Sequence, residues 1–322
     1  MSPPNPITRT TTPTAPAALL AALTPHLPHS LPLLRRLQFA HNIPGGTTAT
    51  TRVVWARYGD SVGELFAAAY VDLSRGPETE CWLYSTMEDA VEGVGAEEVR
   101  LAEGEEGEEE EELVLEVLRG VRELEEGGEG ARFFERGWFM VGSLHEVVRQ
   151  RLIARGVGVA KTRNVAEELE WEFCGKWLFR VEALEERGLP QGMGWDVATR
   201  ADVPVIQGLT SMPRKEATLL LIPSTVVRLD DGTPVAWAFL GYDGTLMTLH
   251  VEEKYRGRGL AKAVACRLMC KHLNVYGDDG WGAADVFDGN LTSQAVCKSI
   301  GGKLSWPLSW AMIDLFSIGD SV

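Results

Sequence analysis

Short apolar runs alternate with glycine and aspartate turns in the last third of the chain, and their order restricts the fold more than any other feature. Two runs that flank the turn Asp230–Gly232 predict a β-hairpin. Later runs predict a strand, a helix, a strand, a helix and a final strand. The predicted ranges are 224–229, 234–240, 245–251, 260–269, 283–287, 291–300 and 310–315. This β-β-β-α-β-α-β order predicts an α/β fold.

The third predicted strand leads directly into a loop rich in glycine and arginine. Arg256–Ala261 reads R-G-R-G-L-A and fits the pattern R/Q-x-x-G-x-G/A. Glycines let backbone N–H groups approach an anion closely, and the helix that starts there adds its positive dipole end. Arg256, Arg258 and Lys262 add positive charge. The loop therefore predicts a pyrophosphate site, and neither a Rossmann nor a Walker pattern accompanies it.

Residues 248–261, which read T-L-H-V-E-E-K-Y-R-G-R-G-L-A, resemble the fourth strand and acyl-CoA loop of the GNAT superfamily of acyltransferases. Asn290, Ser293, Cys297 and Gly301 occupy the positions of its downstream signature N-x-x-A/S-x-x-x-Y-x-x-x-G. The resemblance implies an α/β (α+β) GNAT fold, in which helices flank a mixed central sheet. It also implies acetyl-CoA or another acyl-CoA as co-substrate.

Within the superfamily, the second half is similar to the glycine N-acyltransferase branch. The similar segments are Ile222–Ser224, Asp231–Trp237 and Leu304–Trp310. Arg52–Trp55 and the pair at residues 84–85 match the degenerate N-terminal GNAT-like domain of that branch more loosely. We therefore expect an N-terminal GNAT-like domain before the catalytic one.

The resemblance implies that an amine attacks a bound acyl thioester directly, without a covalent enzyme intermediate. The strand at 245–251 is then expected to splay from its neighbour, so that backbone groups near Leu249 and Val251 hold the pantetheine arm and polarise the thioester carbonyl. The residues that the resemblance assigns to acyl-CoA binding are Leu249, His250, Val251, Arg256, Gly257, Arg258, Gly259, Leu260, Ala261, Asn290, Ser293 and Cys297.

The expected function is transfer of an acetyl or larger acyl group to a small amine or amino acid. One alternative is an acetyltransferase for protein lysines or polyamines, which the acidic net charge of -15 would suit. An alternative of another class is a catalytically silent CoA-binding scaffold, because the expected general base is missing.

In relatives a Glu or His acts as general base from the positions of Thr245 and Met247, neither of which can accept a proton here. The local candidates are His250, Asp243, Asp285 and Asp288. Strand alternation places His250 on the face opposite Thr245 and Met247, unless a β-bulge turns it round. An ordinary sheet histidine is the alternative interpretation of His250.

Cys297 stands where many GNAT enzymes have the tyrosine that protonates the leaving thiolate, and Ser293 lies one turn earlier. A thiol of ordinary pKa, about 8.5, is a candidate donor. The alternatives are a core cysteine and a helix-capping serine. Trp237, Trp306 and Trp310 are candidates either for an acceptor or acyl pocket or for the core.

The predicted organisation has three parts. Residues 1–23, rich in Pro, Thr and Ala, are expected to be a disordered tail. An N-terminal α/β domain follows over 24–187, with a flexible acidic insertion at about 92–130. Within the insertion, the apolar spacing over 112–124 predicts a helix. Residues 188–322 form the predicted catalytic domain, after a boundary rich in Gly and Pro.

Composition excludes several functional classes. The net charge of -15 argues against a nucleic-acid partner. No apolar run reaches the roughly 20 residues that span a bilayer, so no membrane role is expected. Five scattered cysteines and six histidines show no metal-ligand spacing, so no metal is expected. We expect a cytoplasmic protein, with a mitochondrial location as the alternative because the first 59 residues contain no Asp or Glu.

Overall fold

The computed structural model describes residues 6–59, 65–92, 98, 100–101, 107–128, 136–161, 173–210 and 214–319. The chain divides into an N-terminal unit, Met1–Cys174 with Trp306–Val322, and a C-terminal unit, Gly175–Ser305. This division differs from the predicted boundary at 187/188. The Gly-rich stretch at 188–194 connects elements within the C-terminal unit, and the end of the chain returns to the N-terminal unit.

The elements of the N-terminal part are, in chain order, β1 (Ile7–Thr12), α1 (Ala17–Leu23), α2 (Leu31–Asn42), β2 (Arg52–Tyr58), β3 (Phe66–Val71), β4 (Cys81–Ser85), β5 (Val91–Glu92), β6 (Arg100–Leu101), α3 (Glu108–Glu126), β7 (Trp138–His145), α4 (Glu146–Ala154) and β8 (Gly158–Ala160). The later elements are β9 (Cys174–Arg180), β10 (Met193–Asp196), α5 (Val203–Gly208), α6 (Glu216–Leu221), β11 (Ser224–Leu229), β12 (Pro234–Leu240), β13 (Thr245–Val251), α7 (Leu260–His272), β14 (Trp281–Phe287), α8 (Leu291–Ser299) and β15 (Lys303–Asp314).

In the N-terminal unit the strand order is β1-β2-β3-β4-β7-β15, and β8 pairs with β15. Strand β4 pairs with β7 in parallel, and the others pair antiparallel. Apolar side chains of α3 and α4 form a common core with one face of these strands. That burial supplies the main driving force for this unit.

The predicted disordered tail is wrong for residues 7–23. Strand β1 pairs along its whole length with β2, and the Arg9 guanidinium contacts the carboxylates of Glu116 (2.8 Å) and Glu123 (2.5 Å) on α3. Helix α1 buries Leu19 and Leu23. The partners lie tens of residues away, so composition alone cannot reveal them. Residues 1–5 lie outside the described residues.

The predicted flexible insertion is also wrong for residues 108–126, which form α3. The predicted helix at 112–124 is confirmed: its apolar face, including Leu113, Val117 and Val121, is fully buried. Glutamates around this face form ion pairs with arginines of other elements, such as Arg151 with Glu111 at 2.9 Å. Residues 93–97, 99, 102–106 and 129–130 of the insertion lie outside the described residues.

In the C-terminal unit the strand order is β9-β14-β13-β12-β11-β10. From β11 onwards the order β-β-β-α-β-α-β is confirmed. Helix α7 packs against β11, β12 and β13. A Cβ on Gly282 of β14 would lie 2.7 Å from the sulfur of Met269 on α7. Helix α7 therefore covers the face of the sheet to which Gly282 points. The opposite face carries the candidate site.

Candidate active site

Strands β13 and β14 separate after two residue pairs. They pair in parallel at Thr245 with Ala283 and at Leu246 with Ala284, and the pairing ends there. The Glu252 amide donates to the Val235 carbonyl of β12 at 2.9 Å. Because N–H groups alternate along a strand, the amides of Val251 and of Leu249, two residues earlier, face the gap towards β14. The expected splay is confirmed.

A β-bulge in β13 changes the direction of His250. Trp237 of β12 pairs with His250, but Phe239 pairs with Met247, so β13 contains one extra residue. Thr248 adopts the left-handed conformation that absorbs it (φ 53°). Directly paired residues share a face, so His250 lies on the face of Met247. The expectation from simple alternation is wrong, and the bulge is the reason.

The His250 ring stacks on the Trp237 indole, with ring centroids 4.6 Å apart and an interplanar angle of 21°. Burial lowers the pKa of the imidazole below its usual value, the nearby Glu252 carboxylate acts in the opposite direction, and Arg256 lowers the pKa further. The separation between Nε2 and Glu252 Oε1 is 3.6 Å. The ring is therefore neutral near pH 7 and has a nitrogen that can accept a proton.

The loop after β13 has the shape of an anion cradle. Gly257 (φ 75°) and Gly259 (φ 78°) are left-handed, and a Cβ added to either would meet no heavy atom within 4 Å. Helix α7 begins at Leu260, so the amides of its first turn have no acceptor within the helix. Arg256 Nε donates to the Val251 carbonyl at 3.0 Å, which ties the loop to the open strand. These exposed glycines and amides fit a pyrophosphate.

The downstream signature residues mainly build the start of α8. Asn290 Oδ1 accepts the Ser293 amide at 3.0 Å and caps the helix, and Ser293 is half-buried. Cys297 is buried; burial, with a contribution from Asp285, raises the pKa of its thiol to about 12. A proton donor with that pKa is poorly matched to a thiolate whose own pKa is about 8.5. Ser293 is more exposed than Cys297, and its hydroxyl can accept one proton while it passes on another.

The aspartates have different surroundings. Asp243 Oδ2 accepts the Thr245 hydroxyl at 3.0 Å and shapes the turn before β13. Burial raises the pKa of Asp288, just after β14. Asp285 Oδ1 lies 2.6 Å from the Nζ of Lys176 on β9. Sequence reasoning missed Lys176, although a single lysine within the apolar run C-G-K-W-L-F was a visible signal.

The three candidate tryptophans do not belong to one unit. Trp237 is buried beneath His250 in the C-terminal unit. Trp306 belongs to the N-terminal unit, where its ring stacks on that of His29 with centroids 4.6 Å apart. Trp310 also belongs there, and its Nε1 donates to the Thr79 hydroxyl at 3.3 Å. Within the C-terminal unit, only Trp237 of these three lines the candidate face.

The family model for the acyl-CoA N-acyltransferase verG N-terminal domain matches residues 5–170, slightly more than half of the chain. The chain belongs to the verG family of acyl-CoA N-acyltransferases. The model of FR47-like proteins matches residues 226–311, which contain the open strand and the glycine loop of this verG family member. No curated protein matches the chain.

Two solved structures share this fold. A Drosophila protein, 16% identical, covers 92% of this chain and 94% of its own, with a TM-score of 0.58. A tandem GNAT protein from the clavulanic acid biosynthesis pathway, 11% identical, covers 98% of this chain and 100% of its own, with a TM-score of 0.54. The expected GNAT fold is confirmed, and the verG family member carries it in tandem. No helix in the described ranges is long and apolar enough to cross a bilayer.

Proposed function

We propose that the chain transfers an acetyl or larger acyl group from coenzyme A to a small amine or amino acid, by direct attack on the thioester. One observation carries the proposal. The pairing of β13 with β14 ends at Leu246, and the open edge leads into the two-glycine loop at the start of α7. This geometry suits a long thiol-bearing arm that ends in a pyrophosphate.

In this proposal the cradle at residues 256–261 binds the pyrophosphate. The amides of Leu249 and Val251, which face the gap towards β14, bind the pantetheine arm and the thioester carbonyl. Fixed N–H donors near a developing oxyanion stabilise it without reorganisation. Asn290 caps the start of α8, and Ser293 passes a proton on to the leaving thiolate.

The C-terminal unit is favoured over the N-terminal unit as the acyl-CoA site. Strands β4 and β7 also pair at two residues only, and α3 follows β4 in the chain. However, four consecutive glutamates, Glu108–Glu111, form the first turn of α3. Their charge repels an anion at that helix end, whereas the first turn of α7 contains no acidic residue.

The acceptor must lose a proton before it attacks, because only about one alkylammonium ion in a thousand is free amine near pH 7. His250 and Asp285 are the candidate proton acceptors on the face of Thr245 and Met247. We propose an acceptor of the kind used by the glycine N-acyltransferase branch, on the basis of the similar segments at 222–224, 231–237 and 304–310.

A matrix of acyl-CoAs and amines, read by release of free thiol, tests the proposal. Glycine, other amino acids, polyamines and a lysine peptide serve as acceptors, and mass spectrometry identifies the product. We expect thiol release above the blank and an N-acylated small amine. Acylation of the peptide or a polyamine alone would assign the alternative acceptor class. Binding of CoA without thiol release for any pair would identify a silent CoA-binding protein.

A further inference from the structure

A buried ion pair lies beside the open gap in the C-terminal unit. Lys176 Nζ of β9 lies 2.6 Å from Asp285 Oδ1 of β14, and the two side chains are 0% and 2% exposed. Removing two charges from water costs several kcal/mol per ion before their attraction is counted. Such a pair is weak evidence for stability, so its position calls for another explanation.

The position follows from strand register. Ala283 pairs with Thr245, so these two residues share a face. Asp285 lies two residues further along β14 and therefore on that same face. It is the first residue of this face beyond the last pair, at Ala284, where the strands separate. The positions that hold the base in relatives, Thr245 and Met247, are on the adjacent strand and carry no titratable group.

We propose that Lys176 is a positioning residue for acyl transfer. Its ammonium group keeps the Asp285 carboxylate ionised and directed at the gap between β13 and β14. Asp285, rather than His250, then deprotonates the acceptor. The inference rests on the proposed function and assigns the general base of that acyl transfer. Asp285 takes one proton from the acceptor ammonium, and the nitrogen lone pair forms the C–N bond. The C–S bond breaks, the sulfur leaves with its electron pair, and the second nitrogen proton reaches it through Ser293. Asp285 then releases its proton to solvent.

Other titratable groups lie near Asp285 and determine which control variants the experiment needs. The thiol of Cys297 on α8 is close enough for the Asp285 charge to contribute to its raised pKa. His250 lies on the same face of β13. Asp243, before β13, is engaged with Thr245, and Asp288 follows at the end of β14. Lys176 is the basic side chain that contacts the Asp285 carboxylate directly.

The first experiment measures kcat/KM against pH for the wild type, K176M, K176R, D285N and H250Q, with the best donor and acceptor found. The pH range runs from about 3 to 8, because a carboxyl beside a lysine titrates below its ordinary pKa of about 3.9. We expect K176M to move the acidic limb upward by about one pH unit or more, because the carboxylate loses its cation. K176R should return the limb towards the wild-type position. D285N should abolish the acidic limb. H250Q should show an acidic limb with the wild-type midpoint, even if its overall rate is lower. In K176M, K176R and D285N the KM for acyl-CoA should stay within about threefold of wild type, because the pyrophosphate cradle is intact.

The second experiment does not depend on turnover. Carbon-13 NMR follows the carboxyl of Asp285 through a pH titration in the wild type and in K176M, with D285N to assign the signal. We expect a higher midpoint in K176M. Circular dichroism verifies folding, and K176M/D285N, which removes both charges, shows whether the site folds without the pair.

The outcomes separate the two proposals. Equal midpoints in the wild type and K176M, or an acidic limb that disappears in H250Q, would overturn the role of Lys176 while acyl transfer stands. A uniform loss of rate in K176M with an unmoved limb would also overturn it and make the pair structural. Absence of thiol release from the wild type with every donor would refute the proposed function itself, and the role of Lys176 with it.

Discussion

Replacing Gly259 by alanine tests whether the loop before α7 binds acyl-CoA through its backbone. Gly259 has φ 78°, a conformation that disfavours every residue with a Cβ. The added methyl group would meet no heavy atom within 4 Å, so steric overlap does not contribute. The expected effect is therefore backbone strain alone.

Left-handed backbone costs a non-glycine residue roughly 1–2 kcal/mol. The loop is exposed, so in the free protein G259A can relax to negative φ, which turns the amides at the start of α7 away from the ligand. Binding must then restore the left-handed conformation. Since every 1.4 kcal/mol is tenfold in affinity, we expect the Kd for CoA to rise by about 5- to 30-fold.

The matched control is G156A. Gly156 also has φ 78°, is exposed, and has no heavy atom within 4 Å of an added Cβ, but it lies after α4 in the N-terminal unit. Isothermal titration with CoA gives the Kd of both variants, and thermal unfolding compares their stability. G156A should bind CoA like the wild type.

A Kd for G259A within about twofold of that of G156A would refute the reasoning, because a 1 kcal/mol cost at the cradle corresponds to about fivefold. A large loss of binding in both variants would point to general destabilisation instead. The first result would remove the backbone of residues 257–261 from the acyl-CoA site.

Three further predictions concern the surrounding structure. C297A should keep kcat within about threefold of wild type, because the thiol is buried and its raised pKa disfavours proton donation to the leaving thiolate; steady-state kinetics checks this. K176M alone should lower the free energy of unfolding by about 3–5 kcal/mol, because it leaves the buried Asp285 charge unpaired. K176M/D285N should lower it much less, because both charges are removed. Urea unfolding measures the free energy for both variants. Burial lowers the pKa of His29 in the folded protein, so below about pH 6.5 the unfolded chain binds more protons than the folded chain. The free energy of unfolding should therefore fall as the pH drops below about 6.5. H29Q should show a smaller fall between pH 7 and pH 5, measured by urea titration at both pH values.

Several features could be predicted from neighbouring residues alone. The hairpin around Asp230–Gly232 and the strand–loop–helix at Thr245–Met269 depend on turn chemistry, side-chain periodicity and the conformational freedom of glycine, all of which are local. The R-G-R-G-L-A loop follows from the same rules, because Gly257 and Gly259 adopt the left-handed conformation that few other residues tolerate. The GNAT fold and the two-glycine loop proposed to bind acyl-CoA could therefore be predicted before the structure.

The arrangement of the candidate proton-transfer groups was decided by tertiary structure. His250 turns to the face of Met247 because β13 pairs with β12 through a bulge at Thr248, and register between strands is not a local property. Lys176 contacts Asp285, which lies more than a hundred residues further along the chain. Strand β1 is ordered because β2 supplies its hydrogen-bond partners and α3 supplies the carboxylates that Arg9 contacts. Sequence by itself determined the elements and the two-glycine loop that is proposed to bind an anion. The pairing of distant strands determined which side chains meet beside that loop, because each such contact depends on two segments whose separation the local pattern does not encode.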